Sequence, residues 1–90
     1  MTAVEDVKYV FEKALALMDE REEMYGDAWK RNGKGICIPE VFRKANYIRV
    51  QWEKNLCSTD KFLEDILDLI NYAAFSYHLV SEETEEVKKE

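Results

Sequence analysis

All three glycines and the only proline of this 90-residue chain lie in one short segment, from Gly26 to Pro39. Because glycine and proline interrupt helices more strongly than other residues do, this segment predicts a loop of about 14 residues. The regions on either side contain no such breaker, and their apolar residues recur with the spacing of a helix face. The distribution of breakers therefore constrains the chain to long helices joined by one long connection.

The first helix is predicted to begin after Thr2 and to end near Tyr25. Thr2 and Glu5 form a capping box, and Gly26 is a typical residue for a helix C-terminus. At about 100° per residue, the apolar residues of this helix form one stripe about 160° wide. Arg21 and Glu22 fall on the same stripe. The apolar members are Ala3, Val4, Val7, Val10, Phe11, Ala14, Leu15, Leu17 and Met18.

Two further helices are predicted after the loop. Pro39 suits the first position of a second helix, which we expect to extend from residue 40 to about residue 56 with Arg49 on its apolar stripe. Good N-cap residues at positions 58–60 begin a third helix. Residues 81–90 are either an extension of that helix or a frayed tail, so residues 1–80 form the predicted single domain.

The fold class that follows is all-α, with three main helices in a hairpin or bundle. A chain this short buries only about 60–65% of its unfolded surface, so it gains stability from association. We expect a homodimer that completes a four-helix-type bundle. The candidates for the dimer surface lie off the main apolar stripes and are Tyr47, Val50, Tyr72 and Phe75.

Charge and hydropathy exclude several classes of partner. The formal net charge of −6 opposes direct binding to nucleic acid, because phosphate would be repelled. A nucleotide that arrives with a divalent cation remains compatible with this charge. No run approaches the roughly 18 apolar residues of a membrane span, and no leader opens the chain. We therefore expect no membrane partner and a cytoplasmic protein, in the host cytoplasm if the chain is of phage or viral origin.

Three acids of the third helix form a candidate metal site. Asp65 and Asp68 are three residues apart, and Glu64 and Asp68 are four apart, so each pair lies on one helix face. Like charges at this spacing repel by a few tenths of a kcal/mol, which a bound cation would turn into a gain. Mg²⁺ is the cofactor that this arrangement suggests. The alternative is a solvated helix edge.

Glu22 and Arg49 extend this hypothesis, since both fall on predicted apolar stripes. A carboxylate on such a stripe is costly unless it is paired or bound to a metal. A guanidinium there can bind a carboxylate or a phosphate. An internal Glu22–Arg49 salt bridge is the alternative. Arg43 and Lys44 add basic groups to the same helix, Asp27 follows the first helix directly, and Trp29 is expected to fold back onto the helices.

The order of motifs resembles the nucleotide modification-associated domain family, a group of small phage and bacterial proteins. The motifs are YGDAW at Tyr25–Trp29, a basic helix with RK at Arg43–Lys44, and EDILDLINYA at Glu64–Ala73. This family is in turn similar to the all-α nucleotide pyrophosphohydrolases of the MazG type. Those enzymes hold Mg²⁺ with acids on two helices, in the pattern E-E-x-x-E followed by E-x-x-D. Asp65-x-x-Asp68 resembles the second half of that pattern.

The resemblance implies a Mg²⁺-dependent nucleotide-binding protein or nucleoside triphosphate pyrophosphohydrolase. Its expected residues are Glu64, Asp65 and Asp68 for the metal, Glu22 and Asp27 for catalysis, Arg43, Lys44 and Arg49 for phosphates, and Trp29 for stacking on the base. The alternative is a small acidic interaction protein without enzymatic activity, such as a phage-encoded inhibitor or a scaffold.

Overall fold

The computed structural model describes the backbone of residues 2–89 and the side chains of residues 2–85. Over this range the chain forms α1 (Ala3–Tyr25), α2 (Ala28–Asn32), α3 (Lys34–Glu53) and α4 (Asp60–Lys89), with no strand. The all-α prediction is confirmed. The number of helices is four rather than three, and α4 continues without a break into the segment that was predicted as either an extension or a tail.

α1 begins and ends where its caps predict. The Thr2 hydroxyl accepts a hydrogen bond from the backbone N–H of Glu5 at 3.2 Å. At the other end, Gly26 has a φ of 53° and donates its N–H to the carbonyl of Glu22. A positive φ of this size favours glycine, which carries no Cβ to clash. The N-cap of α4 is also confirmed, because Thr59 accepts from the N–H of Phe62 at 3.2 Å.

The prediction of a loop between Gly26 and Pro39 is wrong. α2 occupies most of its first half, and α3 begins at Lys34, so that Gly33 alone separates the two helices. Gly33 has a φ of 70°, which turns the chain sharply within one residue. Pro39 lies inside α3 rather than at the first position of a helix. It removes one backbone hydrogen bond, a loss that a helix of 20 residues tolerates.

α4 is the central helix, and α1 and α3 both run antiparallel to it. Asn71 of α4 donates to the carbonyl of Ala14 in α1 at 3.0 Å, and Gln51 of α3 donates to Asp65 of α4 at 2.7 Å. The side chains buried in these contacts are unusual for a central helix. Within residues 2–85, the buried apolar ones are Ala14 and Cys37, whereas Asp65, Asp68 and Asn71 are buried and polar.

The helices therefore pack around buried polar side chains, and much apolar surface stays exposed. Buried polar groups are stable only where they have hydrogen-bond partners. In the described part of the chain, every buried side-chain nitrogen and oxygen has one. As for the membrane, no helix within residues 2–89 combines the length and the hydropathy needed to cross it.

Candidate functional site

A cavity of about 560 Å³ lies where the end of α1, the whole of α2, the start of α3 and the middle of α4 meet. All five residues of the YGDAW motif line it, together with Asp68, Asn71 and Tyr72 of the EDILDLINYA motif. The two motifs are almost 40 positions apart in the chain. The fold thus brings residues of both motifs to one cavity.

Some of the predicted site residues meet at this cavity and others do not. Glu22, Asp27, Trp29 and Asp68 line it. The other predicted residues lie outside its lining: Glu64, Asp65, Arg43, Lys44 and Arg49. The structure therefore divides the predicted metal ligands, because only Asp68 of the three acids on α4 reaches the cavity.

Asp68 lies at the centre of an ion-pair network. Its side chain is only 5% exposed and accepts hydrogen bonds from Arg21 of α1 and, at 3.0 Å, from Lys44 of α3. Arg21 also binds Glu64 at 2.8 Å. Charge-assisted hydrogen bonds of this kind are about twice as strong as neutral ones. Asp68 thus joins α1 and α3 to α4 through two cations.

Asp65 is turned toward α3, away from the cavity. It accepts hydrogen bonds from Gln51 at 2.7 Å and from Lys61 at 2.7 and 2.8 Å, and Lys44 lies 3.9 Å away. Burial by itself would raise the pKa of Asp65, but the hydrogen bonds from Lys61 and Gln51 outweigh burial, so that this pKa is lowered. The hydrogen bond from Lys61 to Asp65 also raises the pKa of Lys61.

Glu22 and Arg49 do not occupy the buried positions that the helical stripes predicted. Glu22 is exposed. The Arg49 side chain is 60% exposed and binds Glu53 at 2.8 Å and Asn46 at 2.7 Å, so the alternative Glu22–Arg49 salt bridge is not formed. The helical spacing of the apolar residues identified the apolar sides of the helices. Other helices do not fully cover those sides, so residues on them remain in contact with solvent.

Trp29 folds back onto the helices as predicted. Its ring stacks on Phe75 with centroids 4.4 Å apart and planes 10° from parallel, and His78 contacts it edge-on at 5.7 Å. One face of the indole is therefore taken by Phe75. Phe75 and Tyr72, which were candidates for the dimer surface, contact each other edge-to-face within the chain. The aromatic side of the cavity is thus built from α2 and α4.

Three cavity residues that matter for the site, Glu40, Arg21 and Lys30, had no predicted role. The pKa of Glu40 is lowered chiefly by a hydrogen bond from Arg43, at 2.6 Å from the guanidinium Nε. In the sequence, Glu40 is the first residue of a predicted helix, a position that does not indicate a site. Arg21 also lines the cavity. Its position on a predicted apolar stripe was a usable signal, since a guanidinium there requires an acidic partner.

The carboxylates around the cavity have the donor chemistry that Mg²⁺ prefers, since Glu22, Asp27, Glu40 and Asp68 offer oxygen ligands from four separate segments. Within the described side chains, no three Asp, Glu, His or Cys residues are arranged to hold a metal ion. The cavity also contains two cationic groups, those of Arg21 and Lys30, so that phosphate oxygens have donors beside the acids.

The arrangement as a whole combines an aromatic wall, a set of carboxylates and two cations in a space suited to a small ligand. Tyr72 adds a phenol that donates hydrogen bonds at neutral pH, and its pKa is raised by burial and by the nearby charges of Glu40 and Asp68. No protein-family model, no curated protein and no solved structure matches the chain.

Proposed function

We propose that the chain binds a nucleotide together with Mg²⁺ in this cavity and acts as a nucleoside triphosphate pyrophosphohydrolase. The observation that carries the proposal is the convergence of YGDAW and EDILDLINYA on one cavity, because these are two of the three motifs on which the family resemblance rests. The volume of about 560 Å³ lies within the range of small-molecule sites.

The residues that line the cavity suggest a revised set of roles. Asp68 with Glu22 or Asp27 would hold the Mg²⁺ ion, and the remaining acid would act as general base toward water. When bound, Mg²⁺ neutralises phosphate charge and orients the attacking water. Arg21 and Lys30 take the phosphate-binding role, because they line the cavity and the predicted basic residues do not.

Lys44 and Trp29 keep supporting roles in this proposal. Lys44 lies outside the lining of the cavity, binds Asp68 and so fixes the orientation of the Asp68 carboxylate. Trp29 offers a base only the face that Phe75 leaves free, and the ammonium group of Lys30 lies 5.4 Å from the indole ring centre. Arg43 acts through Glu40, which lines the cavity, whereas Arg49 binds Glu53, which does not, and has no role toward the ligand.

The test is pyrophosphate release from a panel of ribo- and deoxynucleoside triphosphates with Mg²⁺. The most informative variant is Glu22→Gln, with Glu23→Gln as its matched control. Both residues are exposed, so neither change should unfold the chain, but only Glu22 lines the cavity. Loss of a general base lowers the rate by about 10²–10⁴-fold, so Glu22→Gln should do so and Glu23→Gln should not.

Asp68→Asn should abolish release as well. Its fold must be checked by circular dichroism, since Asp68 also links three helices. If no nucleotide is cleaved, and if none raises the melting temperature in the presence of Mg²⁺, the proposal is wrong.

A second candidate is a cytoplasmic interaction protein without enzymatic activity, such as a phage-encoded inhibitor or a scaffold. The observation that favours it is that the three predicted metal ligands already bind cationic side chains of the chain itself. In that case the ion-pair network is purely structural. A stable complex with a protein of the host, formed equally well by Glu22→Gln, would support this candidate.

We propose further that two copies of the chain complete a four-helix-type bundle. The support is the shortage of buried apolar side chains, since Ala14 and Cys37 are the only apolar residues that are buried among residues 2–85. Chains of this size are marginal in isolation and gain stability by burying further apolar surface. Association of identical chains around a two-fold axis is the commonest way to do so.

A further inference from the structure

One side of α1 carries a row of apolar side chains that no other residue of the described part of the chain covers. Val4, Val7, Phe11 and Leu15 recur at helical spacing, and their exposed fractions are 77%, 48%, 50% and 59%. We call these four residues the α1 row. Such a row is the pattern of a helix that packs against a partner helix.

The α1 row differs from the side of α1 that contacts α4. Ala14 and Arg21 face α4, as their contacts with Asn71 and Asp68 show. At about 100° per residue, these two positions lie roughly 75° around the helix from the centre of the row. α1 therefore has one side for α4 and a neighbouring side that is free within the described structure.

The exposed apolar residues of α3 do not form a comparable row. Phe42, Tyr47 and Trp52 are 70%, 38% and 68% exposed, and Ile36 is 52% exposed. The first three are five positions apart, so successive members point about 140° away from each other, and Ile36 points about 120° away from Phe42. They cannot all contact one partner helix, whereas the members of the α1 row can.

The surface of the whole chain indicates how much area a partner would need to cover. The accessible surface is 7058 Å², whereas a compact monomer of 10.6 kDa is expected to expose about 5,500 Å². The radius of gyration is 15.0 Å, against about 12 Å for a compact domain of this length. The excess of about 1,600 Å² exceeds the roughly 800 Å² that each partner buries in a stable interface.

We propose that the α1 row is the homodimer interface and that it packs against the same row of a second copy around a two-fold axis. This inference rests on the homodimer proposed above, but not on nucleotide binding. A second copy is the fitting occupant because it is present whenever the chain itself is present and offers the same uncharged row. Two of the four residues suggested by the sequence for this surface, Phe75 and Tyr72, make aromatic contacts within the chain.

The position of the row has a consequence for the cavity. Met18 and Glu22 continue the row toward the end of α1, and both also line the cavity. A second copy on the row would therefore lie beside the cavity wall formed by these two residues. The dimer would narrow the access of solvent to the cavity from the side of α1.

The experiment is sedimentation equilibrium without nucleotide on the wild type, Leu15→Lys and Tyr77→Lys. Leu15 and Tyr77 are both exposed, at 59% and 78%, but only Leu15 belongs to the row. The wild type and Tyr77→Lys should have twice the chain mass of 10.6 kDa. Leu15→Lys should sediment as a monomer, with a dissociation constant raised at least 100-fold.

Val4→Asp is a second variant, chosen because it should not unfold α1: a negative charge in the first turn stabilises a helix. It should also give monomers. A wild type that is monomeric at 100 µM would overturn both the homodimer and its interface. A wild type that is dimeric, with Leu15→Lys and Val4→Asp equally dimeric, would leave the homodimer in place and reject the α1 row.

Discussion

Replacing Lys44 by methionine should destabilise the chain much more than the same change at Lys34. Both lysines bind an acid of α4: Lys44 binds Asp68 at 3.0 Å, and Lys34 binds Glu83 at 2.6 Å. The pairs differ in burial. The Lys44 side chain is 14% exposed and that of Asp68 is 5% exposed, whereas both members of the other pair are more than half exposed.

The expected size of the effect follows from this difference. At 3.0 Å and an effective dielectric constant of about 20, the attraction between Lys44 and Asp68 is about 5.5 kcal/mol, which the desolvation of the ammonium group offsets by several kcal/mol. Asp68 keeps Arg21 as a partner in the variant. We therefore expect Lys44→Met to lower the free energy of unfolding by about 2–3 kcal/mol, and Lys34→Met by about 0–1 kcal/mol.

The assay is urea unfolding followed by circular dichroism, with all variants at one fixed protein concentration. A loss of 2 kcal/mol corresponds to a melting temperature lower by roughly 8–16 °C in a domain of this size. In 1 M NaCl, the small effect of Lys34→Met should vanish, and that of Lys44→Met should persist, because salt screens exposed pairs more than buried ones. Equal losses for the two variants would refute the claim that burial of the Asp68 network stabilises the fold.

Three further predictions concern stability and reactivity. Folding lowers the pKa of Asp65. The free energy that this carboxylate contributes to stability is therefore complete above the ordinary pKa of 3.8 and is lost as pH falls through the lower folded value. Acid titration should therefore destabilise Asp65→Asn less than the wild type. Trp29→Ala should lower stability by about 2 kcal/mol through loss of its aromatic stacking and buried area, as measured by thermal melting; an unchanged melting temperature would contradict the packing of α2. The native chain should show one fast thiol, Cys57, in a reaction with a disulfide reagent, while Cys37, which is buried and has a raised pKa, should react only on unfolding; two equally fast thiols would contradict this.

Both ends of α1 and the start of α4 followed from the sequence because their causes are local, whereas the predicted bounds of α3 were wrong. Thr2 with Glu5, and Thr59 with Phe62, form caps within three positions of each other. Gly26 ends α1 through its own backbone conformation. None of these features needs a distant partner, which is why the all-α class could be predicted without the fold.

The segment from residue 26 to residue 39 shows where local signals mislead. Its glycines and proline predict a loop, but Gly26 belongs to a two-residue turn between α1 and α2, Gly33 alone separates α2 from α3, and Pro39 lies within α3. α2 is only five residues long, too short to be stable without tertiary contacts. The stacking of Trp29 on Phe75 supplies such a contact from α4, far along the chain.

By itself, the sequence determined that the chain is all-α, where α1 begins and ends, where α4 begins, and which sides of these helices are apolar. Only the tertiary structure decided that Asp68 faces the cavity while Asp65 faces Gln51, and that Glu22 and Arg49 remain exposed. The physical reason is the range of the forces involved. Caps and periodicity act within a few residues, whereas the burial of a side chain and the partner of a charge depend on helices that are distant in sequence and meet only in the folded chain.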